Sequence, residues 1–260
     1  MLPTVDSMLK PLATLLVTTL LHFSQLGCAP LKASDRRRAE LHMHIGSSHL
    51  AKGNYPAAMY ELRIAEKLDP RNPTIQSNLG LAYFVRHKYA EAEKHIKTAL
   101  ALNPNYTDAR NNLGRVYIEL GLFDKAIDHL NVANKDLTYP YPDKTLTNLG
   151  IAHFNKGNYR SAKRYLKKSL VIRRNNCLTF HYYGRCLFEL KSFKLAAESF
   201  DQAIPLCKGV KFDEPYYFGA LSYFKLGDKS RAVARFEELL SQFPDGRYAN
   251  QSQSMLKIIK

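Results

Sequence analysis

Tryptophan is absent from the 260-residue chain, and the aromatic content rests on 16 Tyr and 13 Phe. Carboxylates are scarce as well: 23 Asp and Glu stand against 38 Lys and Arg, a formal charge of +15. Such a surface attracts anions of any kind, while a lysine- and arginine-rich helical surface is also an ordinary solubility device. No glycine-rich phosphate loop, paired zinc-ligand cysteines or His-Glu-x-x-His helix occurs, so the familiar signatures of nucleotide and zinc chemistry are missing. His42 and His44 lie two apart, and side chains at that spacing diverge on a helix, so a metal would need ligands from elsewhere. Asp and Glu are expected on solvent faces, without the confined pocket that a general acid–base pair needs. These absences point to a binding module with no enzyme site, metal or cofactor. Nucleic acid is set aside as a partner on similar grounds. The densest basic cluster, Lys163, Arg164, Lys167, Lys168, Arg173 and Arg174, comes with no aromatic-basic module or groove-reading helix.

A long hydrophobic run is missing too. The most apolar stretch, residues 12–21, falls short of the roughly 20 residues that a membrane-spanning helix needs. It follows Lys10 and runs into Gln25-Leu26-Gly27-Cys28, which reads as an export signal over residues 1–27. Asp6 is unusual in such a leader, and Met8 offers a cleaner start than Met1.

What the chain does contain is a repeated marker. Gly46, Gly80, Gly114, Gly150 and Gly184 are spaced 34, 34, 36 and 34 residues apart, and Ala220 follows after 36. Small and apolar residues recur at fixed offsets around each marker, as in Leu79-Gly80, Tyr83, Tyr89, Ala92, Ile96 and Ala99. A period of 34 is the signature of tetratricopeptide helical hairpins, and it predicts an all-α, right-handed superhelix. The marker, with alanine twelve places later, removes bulk where the two helices of a hairpin meet. Glycines at 53, 121, 157 and 227 suit the break between those helices. Leu62, Ile96, Leu130, Leu166, Phe200 and Phe236 then fall on the buried stripe of each second helix. The expected repeats are 39–72, 73–106, 107–140, 143–176, 177–210 and 213–246, preceded by a polar tether over 28–38. A capping helix over 247–260 covers the last repeat. The two extra residues after the third and fifth repeats read as longer loops within one array. In the tether, Arg36, Arg37 and Arg38 either touch anionic lipid or form a solvated run.

Cys177 opens the first helix of the fifth repeat and Cys207 closes its partner. Antiparallel packing brings those ends together, so they form either a disulfide or two neighbouring thiols. Cys186 reads as a buried small hydrophobe. First-helix side chains line the concave side of such a superhelix, where Asn78, Asn112 and Asn148 each stand two places before a glycine. By resemblance to peptide-binding members of the repeat family, this ladder would read an extended main chain; alternatively, it bonds the adjacent repeat. A second candidate surface is an apolar groove near the N-terminal end, made by Tyr55, Leu62, Tyr83 and Phe84.

The Gly27-Cys28 ending resembles the bacterial lipoprotein signal, although Gln25 stands where that pattern usually has Leu. The resemblance implies acylation of Cys28, and Ala29 after it implies the outer membrane. A simple secretory signal is the alternative. Taken with six repeats, the Asn-Leu-Gly motifs at 78–80, 112–114 and 148–150 and the capping segment, the chain resembles the tetratricopeptide outer-membrane lipoproteins of type IV pilus biogenesis, the pilotin group. That resemblance implies a lipid-anchored module on the periplasmic face of the outer membrane. It would bind secretin subunits and help their assembly without any chemical step. The other reading is a periplasmic repeat adaptor serving cell-wall synthesis or another secretion machine.

Overall fold

The computed structural model describes residues 32–209 and 212–260. The leader over 1–27, the lipidation candidate Cys28 and the tether as far as residue 31 lie outside the described residues. Thirteen helices run in order among those described: α1 (Ala33–Ala51), α2 (Tyr55–Leu68), α3 (Pro73–Phe84), α4 (Tyr89–Leu102), α5 (Thr107–Glu119), α6 (Phe123–Ala133), α7 (Pro142–Asn155), α8 (Tyr159–Ile172), α9 (Cys177–Glu189), α10 (Phe193–Leu206), α11 (Glu214–Lys225), α12 (Lys229–Gln242) and α13 (Ala249–Ile259). None is long and apolar enough to cross a membrane. The first twelve pair into six hairpins that stack on their neighbours, with α13 packed on α12.

Local chemistry sets the helix boundaries. Asn72 caps α3 by accepting from the backbone N–H groups of Thr74 and Ile75, at 3.0 and 3.3 Å, and Pro73 fills the position where an N–H is dispensable. Asn176 and Asp228 cap α9 and α12 in the same way. The turns inside four hairpins place Gly53, Gly121, Gly157 and Gly227 at φ of 75, 72, 81 and 81°. The second and fifth hairpins hold His87 and Lys191 at that point, both at φ 58°, a left-handed conformation that costs a side-chain-bearing residue about 1–2 kcal/mol.

The marker glycines lie against the large residue sixteen places later. A Cβ on Gly80 would come within 2.3 Å of Ile96 Cγ1, and one on Gly114 within 2.5 Å of Leu130 Cγ. The alanines twelve places after each marker have no exposed surface in any of the six hairpins. Close backbone approach and burial of one large apolar residue per hairpin therefore come from the same spacing.

Two expectations need correction. The tether ends at Lys32, because residues 33–38 form the first turns of α1; no helix breaker interrupts them, and Arg38 pairs with Asp35 one turn earlier at 3.6 Å. Carboxylates are not confined to solvent faces. Asp143 is buried and pairs with Arg173 at 3.0 Å, and Glu214 is largely buried against Arg185.

The longer connections are pinned. After the third hairpin Tyr139 is buried, and its hydroxyl donates to Asp108 at 2.7 Å. Near the end of the fifth, Cys177 and Cys207 are joined by a disulfide with Cα atoms 5.2 Å apart. Cys186 is a buried free thiol whose pKa is pushed up to about 12 by burial, so it stays protonated and unreactive.

Candidate partner-binding groove

Alternate helices face the same way in a stack of hairpins, so α3, α5, α7 and α9 contribute to one continuous surface. Between them lies a cavity of about 380 Å³ lined by Phe84, Arg115, Ile118, Glu119, Asn148, Ile151, Asn155, Leu178 and Tyr182. Every one of these residues belongs to the first helix of its hairpin.

Arg115 is the charged centre of the groove. Its guanidinium carbon lies 4.5 Å from the centroid of the Phe84 ring. Burial draws its pKa below the ordinary guanidinium value, and the Glu119 carboxylate, one turn along α5, partly opposes that shift. The side chain stays charged, because even a displaced guanidinium titrates far above neutrality. Tyr182 closes the far side, where Phe154 packs edge-on against it at 5.3 Å. Burial pushes the Tyr182 hydroxyl up from its usual pKa, keeping it a neutral donor and acceptor. The arrangement offers a fixed cation, amides from Asn148 and Asn155, and the apolar surfaces of Ile151, Leu178 and Phe84. Chemically, that suits an extended segment carrying a carboxylate flanked by apolar side chains.

The asparagine ladder is mostly committed to the fold. Asn78 donates through Nδ2 to Ser47 Oγ of the first hairpin at 2.8 Å, and Asn148 donates to Asn111 Oδ1 of the third at 3.0 Å. Asn148 still lines the groove, Asn78 does not, and Asn112 lies half-buried on α5 next to Asn111. Of the N-terminal groove, Tyr55, Tyr83 and Phe84 are half-buried and Leu62 drops out. Leu62 has no exposed area because it fills the space beneath Gly46, and Tyr83 is stacked on His95 at 5.2 Å. Phe84 of that set lines the cavity around Arg115.

Sequence reasoning missed Arg115 and Tyr182. A signal was available one place after each marker, where Ser47, Leu81, Arg115, Ile151, Arg185 and Leu221 stand. Arginine at an otherwise small or apolar offset marks a junction between first helices. Arg185 shows the buried version of the same device, lying between the Phe154 and Phe218 rings at 5.1 and 3.7 Å and bonded to Glu214. Burial, reinforced by Arg185, holds His181 neutral with a pKa of about 3, so Glu214 is left to pair with Arg185.

A larger cavity of about 580 Å³ lies where α11 and α12 meet the approach to α13, lined by Phe212, Asp213, Glu214, Phe243, Arg247 and Tyr248 among others. Two of its three carboxylates are spent internally, Asp245 being the third. Asp213 accepts from the Tyr248 backbone N–H at 3.0 Å, and Glu214 holds Arg185. No cluster of three metal-ligating side chains occurs among the described residues.

Four tetratricopeptide-repeat family models match the chain, over residues 46–85, 84–138, 144–181 and 219–246. No curated protein sequence matches it. Among solved structures, PilF of Pseudomonas aeruginosa superposes with a TM-score of 0.74 at 21% identity, covering 85% of this chain and 99% of that one. PilW, described as a widely conserved type IV pilus biogenesis factor, gives 0.74 at 20% identity over 82% and 97%. A chain of the APC/C hetero-tetramer Cut9–Hcn1 gives 0.75 at 18% identity, covering 88% of this chain but 43% of that one. At these identities the likeness establishes the fold, and one fold serves unrelated assemblies.

Proposed function

Since the chain is a tetratricopeptide-repeat protein, we propose that it is a peptide-holding module of type IV pilus biogenesis, which binds a secretin subunit in the Arg115 groove and assists its assembly. The observation that carries this reading is the end-to-end correspondence with PilF and PilW, nearly the full length of each, where the Cut9–Hcn1 chain extends far beyond the match. The groove supplies the means. A largely desolvated guanidinium exchanges its remaining water for a carboxylate at a gain of about 1.5–3 kcal/mol, and neighbouring amides fix the main chain.

Delivery is the second half of the proposal. Acylation at Cys28 would tether the module to the periplasmic face of the outer membrane, since several acyl chains give stable anchoring. Replacing Cys28 with Ser is expected to release the protein from membranes, and mass analysis of the native N-terminus is expected to show acyl chains. An unmodified N-terminus would refute the anchor. For the partner, capture from solubilised envelopes is expected to recover secretin with the wild type and much less with Arg115→Ala. Recovery of cell-wall enzymes without secretin would instead favour a periplasmic adaptor.

A further inference from the structure

The second helices of the hairpins form the opposite side of the array, and one of them differs from the rest. Carboxylates accompany the basic residues on α2 (Glu61, Glu66), α4 (Glu91, Glu93), α6 (Asp124, Asp128), α10 (Glu198, Asp201) and α12 (Glu237, Glu238). Helix α8 has none, yet carries Arg160, Lys163, Arg164, Lys167 and Lys168, with Arg173 and Arg174 directly after it. Lys156, just before it, pairs with Asp124, and Arg173 pairs with Asp143. The other six cations form no ion pair among the described residues.

The charges share a face. Helical spacing puts Arg160, Arg164, Lys167 and position 171 in one stripe, with Lys163 and Lys168 to either side. Buried Ala162, Leu166 and Ser169 lie on the reverse. Position 171 is Val, 71% exposed, and the adjacent Ile172 is 53% exposed. A face designed only for solubility would mix charge signs and avoid two adjacent exposed β-branched aliphatics. A nucleic-acid surface would offer rings for stacking, whereas the rings of α8, Tyr159 and Tyr165, are both half-buried, Tyr165 on the flank beneath Arg164. Cations for headgroup phosphates, beside aliphatics able to enter the acyl boundary, are what an interfacial helix presents to a lipid surface.

We propose that the exposed face of α8 docks the protein on an anionic lipid bilayer, independently of any acyl chain on Cys28. With α8 against the membrane, the Arg115 groove on the first-helix side faces away from it and stays open to a partner.

The test is sedimentation of the full chain carrying Cys28→Ser with phosphatidylcholine vesicles, with and without phosphatidylglycerol. Binding is expected only with the anionic lipid and is expected to fall steeply as salt rises. Lys163→Gln, Arg164→Gln and Lys167→Gln together are expected to lower partitioning about 100-fold, with the melting curve unchanged because these side chains point outward. Glutamine at Lys94 and Lys97 of α4 is the control and should change partitioning less than about twofold. Val171→Ser is expected to reduce vesicle binding several-fold and to leave duplex DNA binding unaltered. Equal partitioning of the triple variant, or no binding by the parent, would overturn the proposal. Loss from Val171→Ser confined to neither ligand would assign the face to polyanions in general and overturn the lipid reading.

Discussion

In the first four hairpins the marker glycine meets an aliphatic side chain, Leu62, Ile96, Leu130 or Leu166, while in the fifth it meets the ring of Phe200. The sixth replaces glycine with Ala220, packed in one cluster with Phe236. A Cβ on the first four markers would fall 2.3–2.7 Å from the aliphatic, and one on Gly184 would fall 2.9 Å from the Phe200 ring, a milder clash. The two regions also differ in what holds neighbouring hairpins together. Between the N-terminal four, side-chain amide bonds such as Asn78–Ser47 and Asn148–Asn111 accompany the repetitive apolar contacts. The last two are joined by the Arg185–Glu214 pair and by Arg235 bonded to Asp201 at 2.7 Å, and the Cys177–Cys207 disulfide staples the two ends of the fifth hairpin itself. Arrays of this kind derive stability from each unit and its interfaces. The C-terminal region thus adds buried ion pairing and a covalent staple to the packing that all six hairpins share.

Reduction of the disulfide breaks this comparison most severely. Closing a separation of 30 residues restricts the unfolded chain by about 3–4 kcal/mol. Cys177→Ser with Cys207→Ser is expected to destabilise the fifth and sixth hairpins by roughly that amount, while hydrogen exchange in α3–α6 stays near its parent level. Uniform deprotection of the whole array would show that the two regions are not separable. An intact mass two daltons below the fully reduced value, roughly, is the expected sign of the bond in the native protein.

The glycine contrast gives the next effect. Gly80→Ala places a methyl 2.3 Å from Ile96 Cγ1 and is expected to cost about 2 kcal/mol through overpacking. In Gly184→Ala the nearest atom is Phe200 Cε1 at 2.9 Å, and alanine's better helix propensity offsets about 1 kcal/mol of the strain. Its net change in denaturant midpoint is expected to be small. Equal losses in the two variants would remove the distinction between ring and aliphatic packing.

A gain is expected at the left-handed turn positions. Lys191→Gly and His87→Gly relieve backbone strain and are each expected to stabilise by about 1 kcal/mol. Thermal melts of the two variants would sharpen the comparison, because His87 also contacts Tyr89 Oη at 2.8 Å and Lys191 has no such bond among those described. The smaller gain is therefore expected at His87.

The hairpins were legible because each relies on one close contact, glycine against a large residue sixteen places on, and that geometry writes itself into a fixed spacing. The groove was less so. Its residues come from four helices about thirty-five positions apart, and nothing periodic ties Arg115 to Phe84 or Tyr182. The ladder illustrates the difficulty. Asn111 and Asn112 are adjacent in sequence, and only the structure shows that Asn111 receives the Asn148 amide. His87 and Lys191 were hidden for the opposite reason, because the fold forces the turn through a residue type that disfavours it.

The central claim, that partners bind through first-helix side chains around Arg115, is tested most directly by titrating a fluorescent secretin segment bearing an acidic residue into the parent, Arg115→Ala and Tyr182→Ala. Each variant is expected to bind at least about tenfold more weakly, a loss of roughly 1.4 kcal/mol, with helicity retained in both and the melting temperature of Arg115→Ala near the parent's, while Tyr182→Ala, which loses its packing on Phe154, also melts lower. Asn78→Ala, whose amide is spent on Ser47, is expected to bind like the parent while losing stability. Undiminished affinity in a folded Arg115→Ala protein, with loss confined to Asn78→Ala, would contradict the account.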